Sequence, residues 1–249
     1  MSDSLDPAVQ PPSLSVLYRD NSLIAIDKPP GIPVHATLDP RRDHLQAQVH
    51  RWLKAEDPQA RAPVLLHRLD VDTTGVVLFA LDPKMNQALA EDFAQRSVDK
   101  VYLAVAGSSR THAVKHWTLR SYLKEVRGAE PPVQAVRAGG KTAQTDVMIL
   151  DENQDFALLL ARPCTGRRHQ IRVQLADDDL PLLGDRDYGW ELARSAPRCM
   201  LHAWQLRFIH PQTQELLTII APPPADLRAS VAQCKLHEAW GEWNWPVVP

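Results

Sequence analysis

The stretch Leu66–Ala80 reads LHRLDVDTTGVVLFA, and its two halves differ in character. The first carries His67, Arg68 and Asp70 around Leu69, then Thr73, Thr74 and Gly75. The second, Val76-Val77-Leu78-Phe79-Ala80, is wholly apolar. A short apolar run behind a Thr-Thr-Gly turn signal predicts a buried strand. The polar cluster is then a loop feeding into the core, and loops held by a rigid scaffold are where chemistry is usually placed. An acid two positions from an arginine at such a mouth is a surface ion pair or a candidate ionised carboxylate.

The flanking segments predict the elements around that strand. Val16–Arg19 and Leu23–Ile26 flank Asp20-Asn21 as two strands around a tight turn, and Pro29-Pro30-Gly31 ends the second. His44–Ala55 sets Leu45, Val49, Trp52 and Leu53 at helical spacing, with Asp57-Pro58 as a stop. Asp82 is an N-cap with Pro83 at the first helical position, and Met85, Leu89 and Phe93 give that helix one apolar face. Val101–Ala106, Ala143–Leu150 and Phe156–Ala161 read as strands, while Ser108–Lys115 and Val126–Lys141 read as polar loops or hairpins. Thr165 reads as the N-cap of a helix over Gly166–Ala176, with Ile171 and Leu175 turned inward and Arg168 and Arg172 sharing another face. Trp204–Ile209 and Leu216–Ile220 form a hairpin around His210-Pro211-Gln212-Thr213, and Pro222-Pro223-Pro224 closes the domain. Strands and helices mix without regular βαβ alternation, so the fold expected is α+β, on a mixed, largely antiparallel sheet with flanking helices. Residues 1–13 are expected to be a disordered tail, 14–228 the domain, and 229–249 a Trp-rich extension whose Trp240, Trp243 and Trp245 pack back on it.

Of the 249 residues, 44% are hydrophobic and 23% charged, which suits a soluble globular chain. No apolar run is long enough to span a bilayer, and the N-terminus has neither the positive nor the apolar region of a secretory signal. Cys164, Cys199 and Cys234 form neither a disulfide framework nor a zinc pattern. The expected compartment is the cytoplasm. A net charge of −2 counts against a strongly basic nucleic-acid module. Yet Arg162, Arg167, Arg168, His169 and Arg172 cluster in one segment without an acid, and such a patch can contact phosphates.

His67–Gly75, HRLDVDTTG, resembles the HRLDxxTSG motif around the catalytic aspartate of the RluA-type pseudouridine synthases, with Thr74 where that family often has Ser. Further segments follow in the family's order. Lys28-Pro29-Pro30-Gly31 resembles its KPxG turn, Lys100-Val101-Tyr102 its KxY strand, and Arg162–Arg172 its PxTGRxHQIR segment. Gly184–Gly189 resembles its GDxxYG turn, and Leu201-His202-Ala203 with His210-Pro211 its closing strand pair. The matches run from roughly residue 16 to residue 222.

The resemblance implies an α+β catalytic domain with a central cleft and the isomerisation of uridine to pseudouridine in rRNA or tRNA. The bond from uracil N1 to ribose C1′ is broken and the base rejoined through carbon 5. The reaction is neither a redox change nor a loss of any group, so no cofactor and no metal is expected. It gives Asp70 the role of the carboxylate, attacking C1′ or removing a proton from C2′, with both routes open. A carboxylate in a desolvated site needs a cation beside it, and the resemblance assigns Arg172. Tyr102 would stack on the uracil and is open to a proton-transfer role at carbon 5; Arg68 would enter the RNA and help hold the target nucleotide out of the stack. Arg167, Arg168 and His169 would bind phosphate, aided by a helix N-terminus near Thr165-Gly166. His67 would orient the loop, and Lys28 would be structural. About 15 residues before the first strand leave no room for the S4-type RNA-binding domain of some relatives, so recognition of a short RNA stem-loop by the catalytic domain is expected. A monomer is expected.

Read residue by residue, a tyrosine on a strand is first a core side chain, and Arg172 is a solvated helix arginine with a phosphate partner. A catalytically inactive RNA-binding protein of this fold is the main alternative, opposed by the presence of both Asp70 and Tyr102. A hydrolase lacks its G-x-S-x-G or HExxH signature here, and a zinc deaminase its H-x-E…P-C-x-x-C.

Overall fold

The computed structural model describes residues 13–95, 97–109 and 111–240. Of the tail assigned to 1–13 only Ser13 is among them, and Trp243 and Trp245 lie outside them. The Val76–Ala80 run is the core of β4 (Thr74–Ala80), in which every residue is buried. β4 lies between β2 (Leu23–Lys28) and β10 (Leu201–Ile209). β2 pairs antiparallel with it, while β10 runs parallel at His202↔Thr74 and Ala203↔Gly75. Gly75 is required at this contact: its φ is +107°, and a Cβ would sit 2.1 Å from the Ala203 carbonyl oxygen.

Beyond β2 lies β1 (Val16–Arg19); beyond β10 follow β5 (Asp99–Gly107), β9 (Phe156–Pro163), β8 (Lys141–Glu152), β6 (His116–Glu125) and β7 (Val133–Val136). β3 (Val64–Leu65) pairs with β4 and β11 (Leu216–Ile220) with β10, completing an eleven-stranded sheet. Among the described strands β4–β10 is the parallel pair and the others are antiparallel, as expected of a mixed, largely antiparallel sheet.

Helices cover both faces because strand side chains alternate. Val77 and Phe79 pack against Leu45, Val49 and Leu53 of α1 (Leu45–Glu56), while Val76, Leu78 and Ala80 pack with Leu89 of α2 (Pro83–Gln95). Further along the sheet, Ile171 and Leu175 of α3 (Gln170–Asp177) meet Val147, Leu159 and Ala161. Leu227 and Val231 of α4 (Ala225–Gln233) meet Val101, Leu103 and Leu158 on the opposite face. Trp240 is buried in that same cluster. The boundary expected at residue 228 therefore falls inside a helix that shares the core. No described helix is long and apolar enough to cross a membrane.

The structure corrects one helix. α3 begins at Gln170, not Gly166, and His169 before it has a left-handed φ of 53°. Gln170 explains the difference. Its Oε1 accepts from the Thr165 hydroxyl at 2.6 Å and the Arg167 amide at 3.1 Å, while its Nε2 donates to the Gln144 carbonyl and the Thr145 hydroxyl. Thr165 is thus bound to a side chain and does not cap the helix, and Gly166–His169 lie outside it, with Arg168 and His169 in a turn. Arg168 and Arg172 do not share a helix face, and no helix N-terminus stands at Thr165-Gly166.

Candidate active site

The Asp70 loop opens on a cleft of about 600 Å³ whose lining includes Arg68, Asp70, Lys100, Tyr102, Arg168 and Arg172. Arg172, only 8% exposed, is its organising cation. Its guanidinium grips the fully buried Asp185 through Nε to Oδ2 at 2.8 Å and Nη2 to Oδ1 at 2.6 Å. Nη2 also donates to Asp187 Oδ2 at 2.6 Å, and Nη1 to Asp70 Oδ2 at 3.2 Å. The Tyr188 ring lies 5.1 Å from the guanidinium carbon. Burial alone would lower the Arg172 pKa, but the Asp185 hydrogen bonds and charge overcome it, and the arginine stays charged. Asp185 has the complementary balance: burial raises its pKa, while hydrogen bonds and charge from Arg172 bring it below its ordinary value.

A depressed carboxylate contributes stability that is full above its ordinary value of 3.8 and disappears as pH falls through its folded value. Asp185→Asn should therefore cost about 3–5 kcal/mol near neutral pH, since it breaks a buried pair. The deficit should shrink below pH 4, which urea unfolding at several pH values would measure.

Tyr102 stands on β5, flanked by Ala203 of β10 and Ala161 of β9. Burial, then the charge of Asp70, raises its pKa, so the phenol keeps its proton. Arg68 is exposed and has neither a carboxylate nor a carbonyl partner among the described residues. His67 supports the loop from behind: its ring stacks on Phe93 at 5.1 Å and its Nε2 accepts from the Leu78 amide at 3.1 Å. Burial, then the charge of Lys100, lowers its pKa to about 3, so it is neutral near pH 7.

Lys28 is fully buried, and its Nζ donates to the carbonyls of Pro29, Ile32 and Val71 at 2.8, 3.0 and 2.8 Å. Burial lowers it to about 7, yet three acceptors suit a full ammonium and not an amine with two hydrogens. We read it as charged and pinning the residue after Asp70.

The segment expected to bind phosphate divides. Arg162 pairs with Asp99 at 2.5 Å on the sheet and leaves the patch. Arg167 donates through Nε to the Thr142 carbonyl, and Arg168 pairs with Glu125 at 3.3 Å, partly exposed. His169 touches the Tyr188 hydroxyl at 3.0 Å and lies 3.8 Å from Asp70 Oδ1. Burial lowers its pKa; Asp70 opposes this, and Arg172 and Arg168 reinforce it. A neutral His169 is a part of the cleft wall and a weak phosphate ligand. In the sequence Asp185 and Asp187 stand out only as members of the Gly184–Gly189 turn motif, and the charge surplus of Arg162–Arg172 gives no sign that Arg172 needs carboxylates from elsewhere. Among the described residues no His, Cys, Asp or Glu cluster could hold a metal ion.

A cleft that sets one carboxylate against a locked arginine, with a tyrosine and several cations around it, fits the class of RNA-modifying isomerases. The model describing RNA pseudouridylate synthases matches residues 22–177. An uncharacterized RNA pseudouridine synthase of Bacillus subtilis, YhcT, is 34% identical over 220 residues, 86% of this chain and 70% of its own. The dual-specificity RNA pseudouridine synthase RluA of Escherichia coli O6:H1 is 32% identical over 224 residues, 86% of this chain and 94% of its own. Among solved structures, human RNA pseudouridylate synthase domain containing 4 superposes with a TM-score of 0.72 at 26% identity, covering 90% of this chain and 94% of that one. The chain belongs to the RluA-type family of RNA pseudouridine synthases.

Proposed function

We propose that the protein isomerises specific uridines in structured rRNA or tRNA to pseudouridine, with Asp70 as the catalytic carboxylate. The supporting observation is the wiring of Arg172. Its other donors are taken by Asp185 and Asp187, so Nη1 faces Asp70 at 3.2 Å. That single charge-assisted hydrogen bond orients the carboxylate and leaves Asp70 Oδ1 free of Arg172, available to the ribose. The open alternatives of attack at C1′ and proton removal at C2′ both start from this arrangement.

Tyr102 offers an aromatic face at the cleft floor for the extruded base, and Arg68, exposed at the rim, is the side chain free to fill the vacated stack. Arg167 and Arg168 would meet the flanking phosphates. The test is conversion of uridine in an RNA transcript by the purified protein, read as pseudouridine in nuclease digests. No metal is needed for an isomerisation of this kind, so activity should persist with a chelator, provided the RNA stays folded. Loss with EDTA and return with zinc would contradict the reading.

Tyr102→Phe keeps the ring and loses the hydroxyl. If stacking is the main role, RNA affinity should stay within about threefold and single-turnover rate should fall by less than about tenfold. Loss of one general acid–base group instead costs about 10²–10⁴-fold. A fall in that range at saturating RNA would assign the hydroxyl a proton-transfer role.

A further inference from the structure

The basic surface continues beyond the cleft. β6 presents Arg120, Tyr122 and Lys124 at alternate positions, all exposed, with side chains about 6.8 Å apart on one face. The intervening residues turn inward: Ser121 Oγ accepts from Gln174 Nε2 at 3.0 Å, and Leu123 is buried. Tyr122 is 46% exposed and stands between Val136 of β7 and Thr142 of β8. Residues 120–141 hold five Lys or Arg against two acids, in a chain of net charge −2, and one of those acids, Glu125, is paired with Arg168.

Tyr102 pairs through Ala161 and Val147 with Trp117, so the cleft lies on the side of Trp117, Ser121 and Leu123, and Arg120, Tyr122 and Lys124 stand on the opposite side of the sheet. Two grooves at the margin of the sheet run between the two sides. One, of about 600 Å³, is lined by Arg120, Tyr122, Arg137 and Gln144, with Asp177 as its acid, and shares Thr165 with the Asp70 cleft. The other, of about 330 Å³, is lined by Lys124, Lys141 and Glu125 and shares Arg167 and Arg168 with it. Scattered surface charge would not line up at alternate strand positions around an exposed ring.

We propose that single-stranded RNA leaving the target uridine passes Arg167 and Arg168, crosses the strand ends at Lys124 and Lys141, and is held on the far face of β6. Lys141, opposite Leu123, meets its phosphates on the cleft side, Arg120 and Lys124 meet them on the far side, and Tyr122 stacks one base. This rests on the reading of the chain as an RNA isomerase. The test is anisotropy of a fluorescein-labelled oligouridylate, titrated at several KCl concentrations. Wild type would be compared with Arg120→Glu/Lys124→Glu, with Tyr122→Ala, and with Arg168→Glu in the cleft. All these side chains are exposed, and an unchanged melting temperature checks the fold. Losing two phosphate contacts should flatten the slope of log affinity against log salt by about 1.4. Losing one stacked base should weaken binding about fivefold to a hundredfold. Wild-type affinity and slope in both face variants, with binding lost only in Arg168→Glu, would overturn this proposal and leave the isomerase reading standing. A wild-type protein that neither binds nor modifies any RNA would overturn both.

A separate observation concerns the loop that carries Asp70. Arg198, 5% exposed, donates through Nη1 to the carbonyls of Asp72, Cys199 and Leu201 at 3.2, 2.9 and 3.2 Å. Through Nε and Nη2 it grips both oxygens of Asp226, in the first turn of α4, at 2.7 and 2.8 Å. The loop is thus held at Val71 by Lys28 and at Asp72 by Arg198. The geometry points to Arg198 as a positioning residue that makes the placement of Asp70 depend on the docking of α4, given Asp70 as the reactive group. Arg198→Lys keeps the charge and loses the planar fork. It should lower single-turnover rate at saturating RNA about thirtyfold or more, because misplacement by about 1 Å costs on the order of 10²-fold. RNA affinity should be unchanged, and Asp226→Asn should give a smaller loss of the same kind. Unchanged turnover per folded molecule, with only the melting temperature lowered, would overturn this role. Activity retained by Asp70→Asn would instead remove the premise.

Discussion

Asp70→Asn should lose product formation by about 10³-fold or more, beyond what one general acid–base group usually supplies, while RNA binding and folding stay close to wild type. Asparagine has the same shape, and its carbonyl oxygen can still accept the hydrogen bond from Arg172 Nη1, which reaches Asp70 Oδ2 at 3.2 Å. What disappears is the negative charge, and with it both routes at the ribose. Folding should survive because Arg172 keeps Asp185 and Asp187, each at 2.6 Å. Three carboxylates face one guanidinium here, so removing one relieves repulsion among them. The result to look for is a split: intact affinity and melting temperature with no turnover. An Asp70→Asn protein that modifies RNA at even a tenth of the wild-type rate would end the assignment.

Arg172→Lys should show a different pattern, with turnover and stability lost together. Arg172 uses Nε and Nη2 as a fork on Asp185, Nη2 again on Asp187 and Nη1 on Asp70. An ammonium is a point charge with three donors and cannot hold that planar arrangement. Asp185 has no solvent contact and would be left poorly paired, at a cost of about 3–5 kcal/mol if the pair is broken. RNA affinity should change by less than about tenfold, because exposed Arg68 and Arg168 remain and a rim contact carries only part of the phosphate attraction. Measuring single-turnover rate at saturating RNA beside a Kd separates the roles. Lost affinity with an unchanged rate would make Arg172 a phosphate contact. Arg168 could not then take its place, since it lies outside α3 and pairs with Glu125.

The readable parts of the fold are those set by local pattern. The apolar run Val76–Ala80 could only be a buried strand, and its alternation sends Val77 and Phe79 to α1 and Val76 and Leu78 to α2. Asp82 and Pro83 open α2 as their chemistry dictates, with Asp82 Oδ1 accepting from the Lys84 amide at 2.8 Å. The start of α3 was not readable, because the group competing for the Thr165 hydroxyl is the side chain of Gln170, five residues on. The site divides in the same way. The Asp70–Arg172 contact joins residues 102 apart and came into view only through motif resemblance, since no local spacing encodes it. Arg162 looked like part of a phosphate patch because its partner, Asp99, is 63 residues away on another strand. Arg198 carried no signal at all: its partners are three backbone carbonyls and Asp226, 28 residues distant.

The most direct test of the central claim is a pseudouridine map of total RNA from cells that have the gene, cells that lack it, and deleted cells carrying either the wild-type or the Asp70→Asn protein. The account predicts one or a few uridines in rRNA or tRNA that lose modification on deletion, regain it with the wild-type protein, and stay unmodified with Asp70→Asn. Identical maps with and without the gene, or restoration by Asp70→Asn, would contradict it.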